Sequence, residues 1–190
     1  MRYNNRKIII CTAGLFLAVT IVFLWTRVWE TTSNHELSQT ETKETNEQSA
    51  ANPQGFTHEG NQYRNTTYGF SFALPSMYIA RSNSLGDDSE ILTFDDGQKH
   101  SFQIFITSHD EPLITPERIK LDVPDMVIND VRTATLDGVD ALLFKSFDAS
   151  LGETYEVWFI YKNHLYQIMT YAEQESELNT VLDSWRFVLE

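Results

Sequence analysis

Residues 153–171 read ETYEVWFIY-KN-HLYQIMTY, and this stretch decides the fold. Two apolar, β-branched and aromatic runs flank Lys162-Asn163, a two-residue break of the kind that joins antiparallel strands. In the first run Tyr155, Val157, Phe159 and Tyr161 share one face of a strand, because side chains alternate with a period of two. Glu156, Trp158 and Ile160 share the other. That second face is itself partly apolar, which predicts a sheet covered on both sides.

The same grammar extends in both directions. Val131–Leu136, Asp137-Gly138 and Val139–Phe147 form a hairpin signature, since Asp-Gly supplies the positive φ of a tight turn. Glu90–Phe94 meets Asp95-Asp96-Gly97 and then the alternating run Ser101–Thr107. Phe70–Leu74 reads as a strand stopped by Pro75, which cannot donate to a ladder. Two helices are predicted. Thr115-Pro116-Glu117-Arg118 opens one with an N-cap threonine, a first-turn proline and an early acid, running toward Leu121. Glu175–Ser184 is the other, with Leu178, Val181, Leu182 and Trp185 at helical spacing and Glu175 and Glu177 suited to its dipole. Arg186–Leu189 is expected to close the sheet as a last edge strand. The fold class is α+β: an antiparallel β-sheet flanked by helices.

This domain occupies residues 56–190, and what precedes it is of another kind. Residues 8–25, IIICTAGLFLAVTIVFLW, carry no charge, and as a helix they would span roughly 27 Å against a hydrocarbon core of ~30 Å. A core helix would need a polar stripe. A cleaved signal would need small residues where TRVWETTS stands, and a lipoprotein signal would need its cysteine after the apolar stretch rather than at Cys11. The reading is an uncleaved transmembrane signal anchor. Arg2, Arg6 and Lys7 make residues 1–7 a basic cytoplasmic terminus, with Arg27 alone behind the span, so the rest of the chain is expected to be extracytoplasmic. Residues 26–55 follow as a polar linker. Between 31 and 55 the one large apolar side chain is Leu37, too little to offset the entropy of ordering. His35 lies within it.

The charge balance narrows the partners. The chain has 27 acids, 14 bases and a net charge of −13. Glu30, Glu36, Glu41, Glu44 and Glu47 cancel Arg2, Arg6, Lys7, Arg27 and Lys43, so the whole of that charge falls on residues 56–190. Nucleic acid and anionic lipid surfaces reward clustered cations and are excluded as partners of the domain. One cysteine excludes an internal disulfide framework and a four-cysteine zinc site.

The order of elements resembles the PsbP-like family, whose fold is shared with the Ran-binding Mog proteins. The residues that carry the likeness are Tyr68-Gly69-Phe70-Ser71-Phe72-Ala73-Leu74-Pro75, with Tyr78 where many members have tryptophan. Leu165-Tyr166-Gln167-Ile168 and the closing Ser184-Trp185-Arg186-Phe187 complete it, over about residues 62–190. The resemblance implies an antiparallel sheet sandwiched between helices (an αβα sandwich), in secreted or membrane-anchored proteins, and it does not imply an enzyme.

No catalytic, cofactor-binding or metal-binding residue is assigned. His58, His100, His109 and His164 fall on separate segments without metal-ligand spacing, and no G-x-S-x-G, P-loop or G-x-G-x-x-G is present. The acidic groups Asp87-Asp88-Ser89-Glu90 and Asp95-Asp96-Gly97 could meet across a hairpin to hold Ca²⁺, although acidic turns also arise from turn chemistry and solubility. Asn65-Thr66-Thr67 fits a glycosylation acceptor. The expected function is that of a non-catalytic, membrane-anchored extracytoplasmic domain that binds or positions another envelope protein. The alternative is a small-ligand or divalent-cation-binding domain.

Overall fold

A computed structural model describes residues 55–86 and 88–188. The predicted anchor, and the predicted linker except Gly55, lie outside the described residues. Within them no helix is long and apolar enough to cross a membrane.

Among the described residues eleven strands build two antiparallel sheets rather than one. The smaller has the order β1 (Phe56–Glu59), β2 (Gln62–Asn65), β3 (Phe70–Ala73) and β11 (Arg186–Phe187). The larger runs β4 (Ile79–Gly86), β5 (Ser89–Asp95), β6 (Ser101–Ser108), β10 (His164–Tyr171), β9 (Gly152–Tyr161), β8 (Val139–Asp148), β7 (Asn129–Leu136). Helix α1 (Pro116–Asp122) links β6 to β7, and α2 (Glu175–Asp183), entered through a 3₁₀ turn at Ala172–Gln174, links β10 to β11.

The local predictions hold closely. Asp137 and Gly138 sit at φ 47° and 87°, and Lys162 and Asn163 at 47° and 61°, as two-residue hairpin turns require. Thr115 accepts a hydrogen bond from Arg118 N–H, and Pro116 opens α1. The two faces of β9 part as the alternation predicts. Tyr155, Val157 and Phe159 enter the main core with Phe70, Phe72, Phe94, Tyr166, Leu178, Val181, Leu182 and Trp185. Trp158 enters a second core with Ile119, Leu142, Phe144 and Leu165. One face of the large sheet is therefore covered by the small sheet and α2, and the other by α1.

The expected single sheet is corrected here, and so is the place of the last strand. β11 pairs with β3, Arg186 opposite Ser71 and Phe187 opposite Phe70, and closes the small sheet instead of edging the large one. The reason is aromatic packing. Phe70 and Phe72 lie flat against Trp185, with centroids 4.5 and 5.1 Å away, and a strand carrying those rings gains more as a lid on the core than at an edge. Polar bonds fix the junction. Ser184 Oγ accepts from Ala73 N–H at 2.8 Å and donates to Val181 O at 2.7 Å. Asp137 Oδ2 accepts from Phe187 N–H at 2.7 Å, tying a hairpin turn of the large sheet to the last strand of the small one.

Candidate functional site

Asp87 lies outside the described residues; the rest of the first acidic group and the second lie at opposite ends of one strand. Ser89 faces Gly86 at the start of β5 and Asp95 faces Ile79 at its end, so they stand about 20 Å apart at 3.3 Å per residue. The hairpin separates the carboxylates whose meeting a Ca²⁺ site would require. Each is also engaged locally: Glu90 accepts from Ser82 Oγ–H, and Asp95 pairs with Arg81. Asp96 Oδ1 accepts from the backbone N–H groups of Gln98, Lys99 and His100 at 2.8, 3.0 and 3.1 Å. Its Oδ2 meets His100 Nδ1 at 2.8 Å. The His100 contact, joined by the backbone donors, holds the carboxyl down to about 2 despite burial. Asp96 is the anchor of the β5–β6 turn. Among the described residues no three His, Cys, Asp or Glu side chains converge to hold a metal ion.

The histidines stay apart as well. His58 Nε2 lies 3.2 Å from Leu74 O, and His164 Nδ1 lies 2.9 Å from Lys162 O. His109 follows β6, with its Nε2 buried and unbonded; His35 is outside the described residues. Asn65 is 1% exposed, and its Oδ1 accepts from Tyr68 N–H at 2.9 Å. The folded domain therefore offers no accessible acceptor in Asn65-Thr66-Thr67.

One buried titratable group stands apart from the acidic turns. Glu156 shares a partly apolar strand face with Trp158 and Ile160, and it is 5% exposed. Its carboxylate accepts from Thr154 Oγ–H at 2.8 Å and from Trp158 Nε1–H at 3.1 Å. Desolvation outweighs both bonds and lifts the group to about 7. The i−2, i, i+2 spacing of Thr154, Glu156 and Trp158 on one strand face was the available signal. A recess lined by Ser101, Leu151, Thr154, Met169, Thr170 and Tyr171 measures about 10 Å³, room for a single water and for no organic ligand.

The large sheet is open, and its two edge strands are its most exposed. On β7 every residue but Leu136 is exposed, and on β4 every residue but Ala80 and Ser82. An unpaired edge is a row of donors and acceptors ready for another chain.

No protein-family model matches the sequence, and no curated protein matches it. Among solved structures, the chain is similar to the solution structure of cyanobacterial PsbP (CyanoP) from Synechocystis sp. PCC 6803. The match has 10% identity and a TM-score of 0.48, and covers 75% of this chain and 98% of that one. It is a likeness of fold. It brings no activity, ligand or partner with it.

Proposed function

We propose that residues 56–190 form a non-catalytic interaction module, held on the extracytoplasmic side by the anchor at 8–25 and the linker at 26–55, that binds or positions another envelope protein. The observation that carries this reading is the open seven-stranded sheet with both edge strands exposed over a filled core. Edges are costly to leave bare, because they invite aggregation, and natural sheets usually shorten or cover them. Strands of eight residues kept exposed at both ends fit a surface that another chain uses. The acidic domain and the polar linker agree with a globule that stands off an anionic membrane rather than lying on it.

The test is chemical cross-linking of the full-length protein in its native membranes, followed by mass spectrometry of linked peptides. The reading expects a reproducible second protein joined through residues 56–190. Self-links alone, or none, would overturn it.

A further inference from the structure

The hairpin geometry of β7 determines which of its backbone groups are unused. The Asp137-Gly138 loop has two residues at positive φ, so its flanking pair, Leu136 and Val139, exchanges ladder hydrogen bonds. Bonded and non-bonded pairs alternate from there. Ala134–Ala141 and Arg132–Leu143 are bonded pairs, while Thr133–Leu142 and Thr135–Asp140 are not. Thr133 and Thr135 therefore turn their N–H and C=O groups away from β8. Among the described residues β7 pairs with β8 and with no second strand. Side chains on both of its faces are exposed. On β4, by contrast, Ala80 and Ser82 are half-covered.

Charge selects the occupant. Asp130 lies on β7, Asp137 in its turn and Asp140 opposite Thr135. The cations on this flank, Arg132 and Lys145, already face Glu175 at 2.7 and 3.9 Å. The surplus is acidic, as is the domain as a whole, and a second copy would bring the same sign. We infer that the outer edge of β7 takes an extended, basic segment of another protein as an added strand, paired through the backbone of Thr133 and Thr135. This rests on the reading of the domain as an interaction module and names its surface. Main-chain bonds supply the affinity, and lysine or arginine side chains beside Asp130, or reaching over β7 toward Asp140, supply the preference.

The probe is a ten-residue synthetic peptide alternating lysine with valine or threonine, added to the full-length protein in uncharged detergent. Binding is followed by fluorescence anisotropy and by amide hydrogen exchange. The inference expects saturable binding and at least tenfold slower exchange at Thr133 and Thr135, with Ala134 unchanged because β8 already holds it. Methylating alternate backbone nitrogens of the peptide should weaken binding at least tenfold. Thr133→Pro, which removes an outward N–H and leaves the β8 ladder whole, should do the same. Asp140→Lys should weaken the lysine peptide while sparing the fold, and replacing the peptide's lysines by glutamates should abolish binding.

Unchanged affinity for the methylated peptide, or for the Thr133→Pro protein, would overturn the inference by reducing it to diffuse charge attraction. Protection of Thr133 and Thr135 without peptide, rising with protein concentration, would overturn it in favour of a second copy. Repeating the membrane cross-linking with Thr133→Pro separates the two levels. A native partner that stays linked sinks the β7 edge and keeps the module, whereas a peptide-binding edge in a protein with no native partner sinks the module.

Discussion

Glu156 sets the pH behaviour of the domain at the level of a single residue. Burial lifts its carboxyl from 4.5 to about 7, so the folded protein holds a proton that the unfolded chain releases. Its contribution is fully present below the unfolded value and is lost as pH rises from about 4.5 through 7. The size is on the order of 3 kcal/mol, from 1.36 kcal/mol per unit. Glu156→Gln should remove this slope. Thermal melts followed by circular dichroism should show the variant higher than the parent by roughly 5–10 °C at pH 8, with the advantage gone at pH 5. A parent whose melting temperature is flat between pH 5 and 8 would refute it. Asp96 acts with the opposite sign: its lowered carboxyl stabilises above the unfolded value and gives that up as pH falls toward 2. The sequence carries the strand-face spacing of Thr154, Glu156 and Trp158 and the acidic turn at Asp96, but not the burial and partners that shift the two carboxyls. Burial and partners come from strands and turns that alternation does not locate in space.

At the scale of the element, the hairpins were the most legible part of the molecule. Asp137-Gly138 and Lys162-Asn163 both interrupt alternating runs, and both turns form where the break falls. They differ in their internal cost. Gly138 reaches φ 87° without strain, and a Cβ there would meet nothing within 4 Å, so its requirement is conformational. Lys162 is held at φ 47° with a side chain ill suited to it. Lys162→Asn together with Asn163→Gly should stabilise the domain by roughly 1 kcal/mol, read as a higher urea midpoint with an unchanged slope. No gain would mean that the Lys162 ammonium, 5.5 Å from the Tyr161 ring, offsets the strain. β4 escaped the reading for the converse reason: Arg81-Ser82-Asn83-Ser84 lies on an edge, where no apolar alternation is needed. β1 and β2, short and half polar around Gly60-Asn61, escaped it likewise.

For the molecule as a whole, Trp185 is where the two sheets and α2 meet. It is fully buried, stacked on Phe70 and Phe72 and edge-on to Phe159 at 5.7 Å. Trp185→Ala should cost about 3–5 kcal/mol and loosen the small sheet first, seen as faster amide exchange in β3 and β11 before the β8–β9 ladder opens. Simultaneous loss of both sheets would instead make them one cooperative unit. The chain's own sequence determined the strands of the large sheet's centre, both hairpin turns, both helices and the Thr115 cap of the first, and the contrast between residues 8–25, the linker and an acidic domain. Those are local quantities: period, turn chemistry, charge and hydrophobic length. Tertiary structure alone decided that Phe70 pairs with Phe187, that the acidic turns stand apart, that Glu156 is enclosed and that β7 is left at an edge. Pairing partners distant along the chain are chosen by how aromatic faces fill a shared core, and no local window of sequence contains that choice.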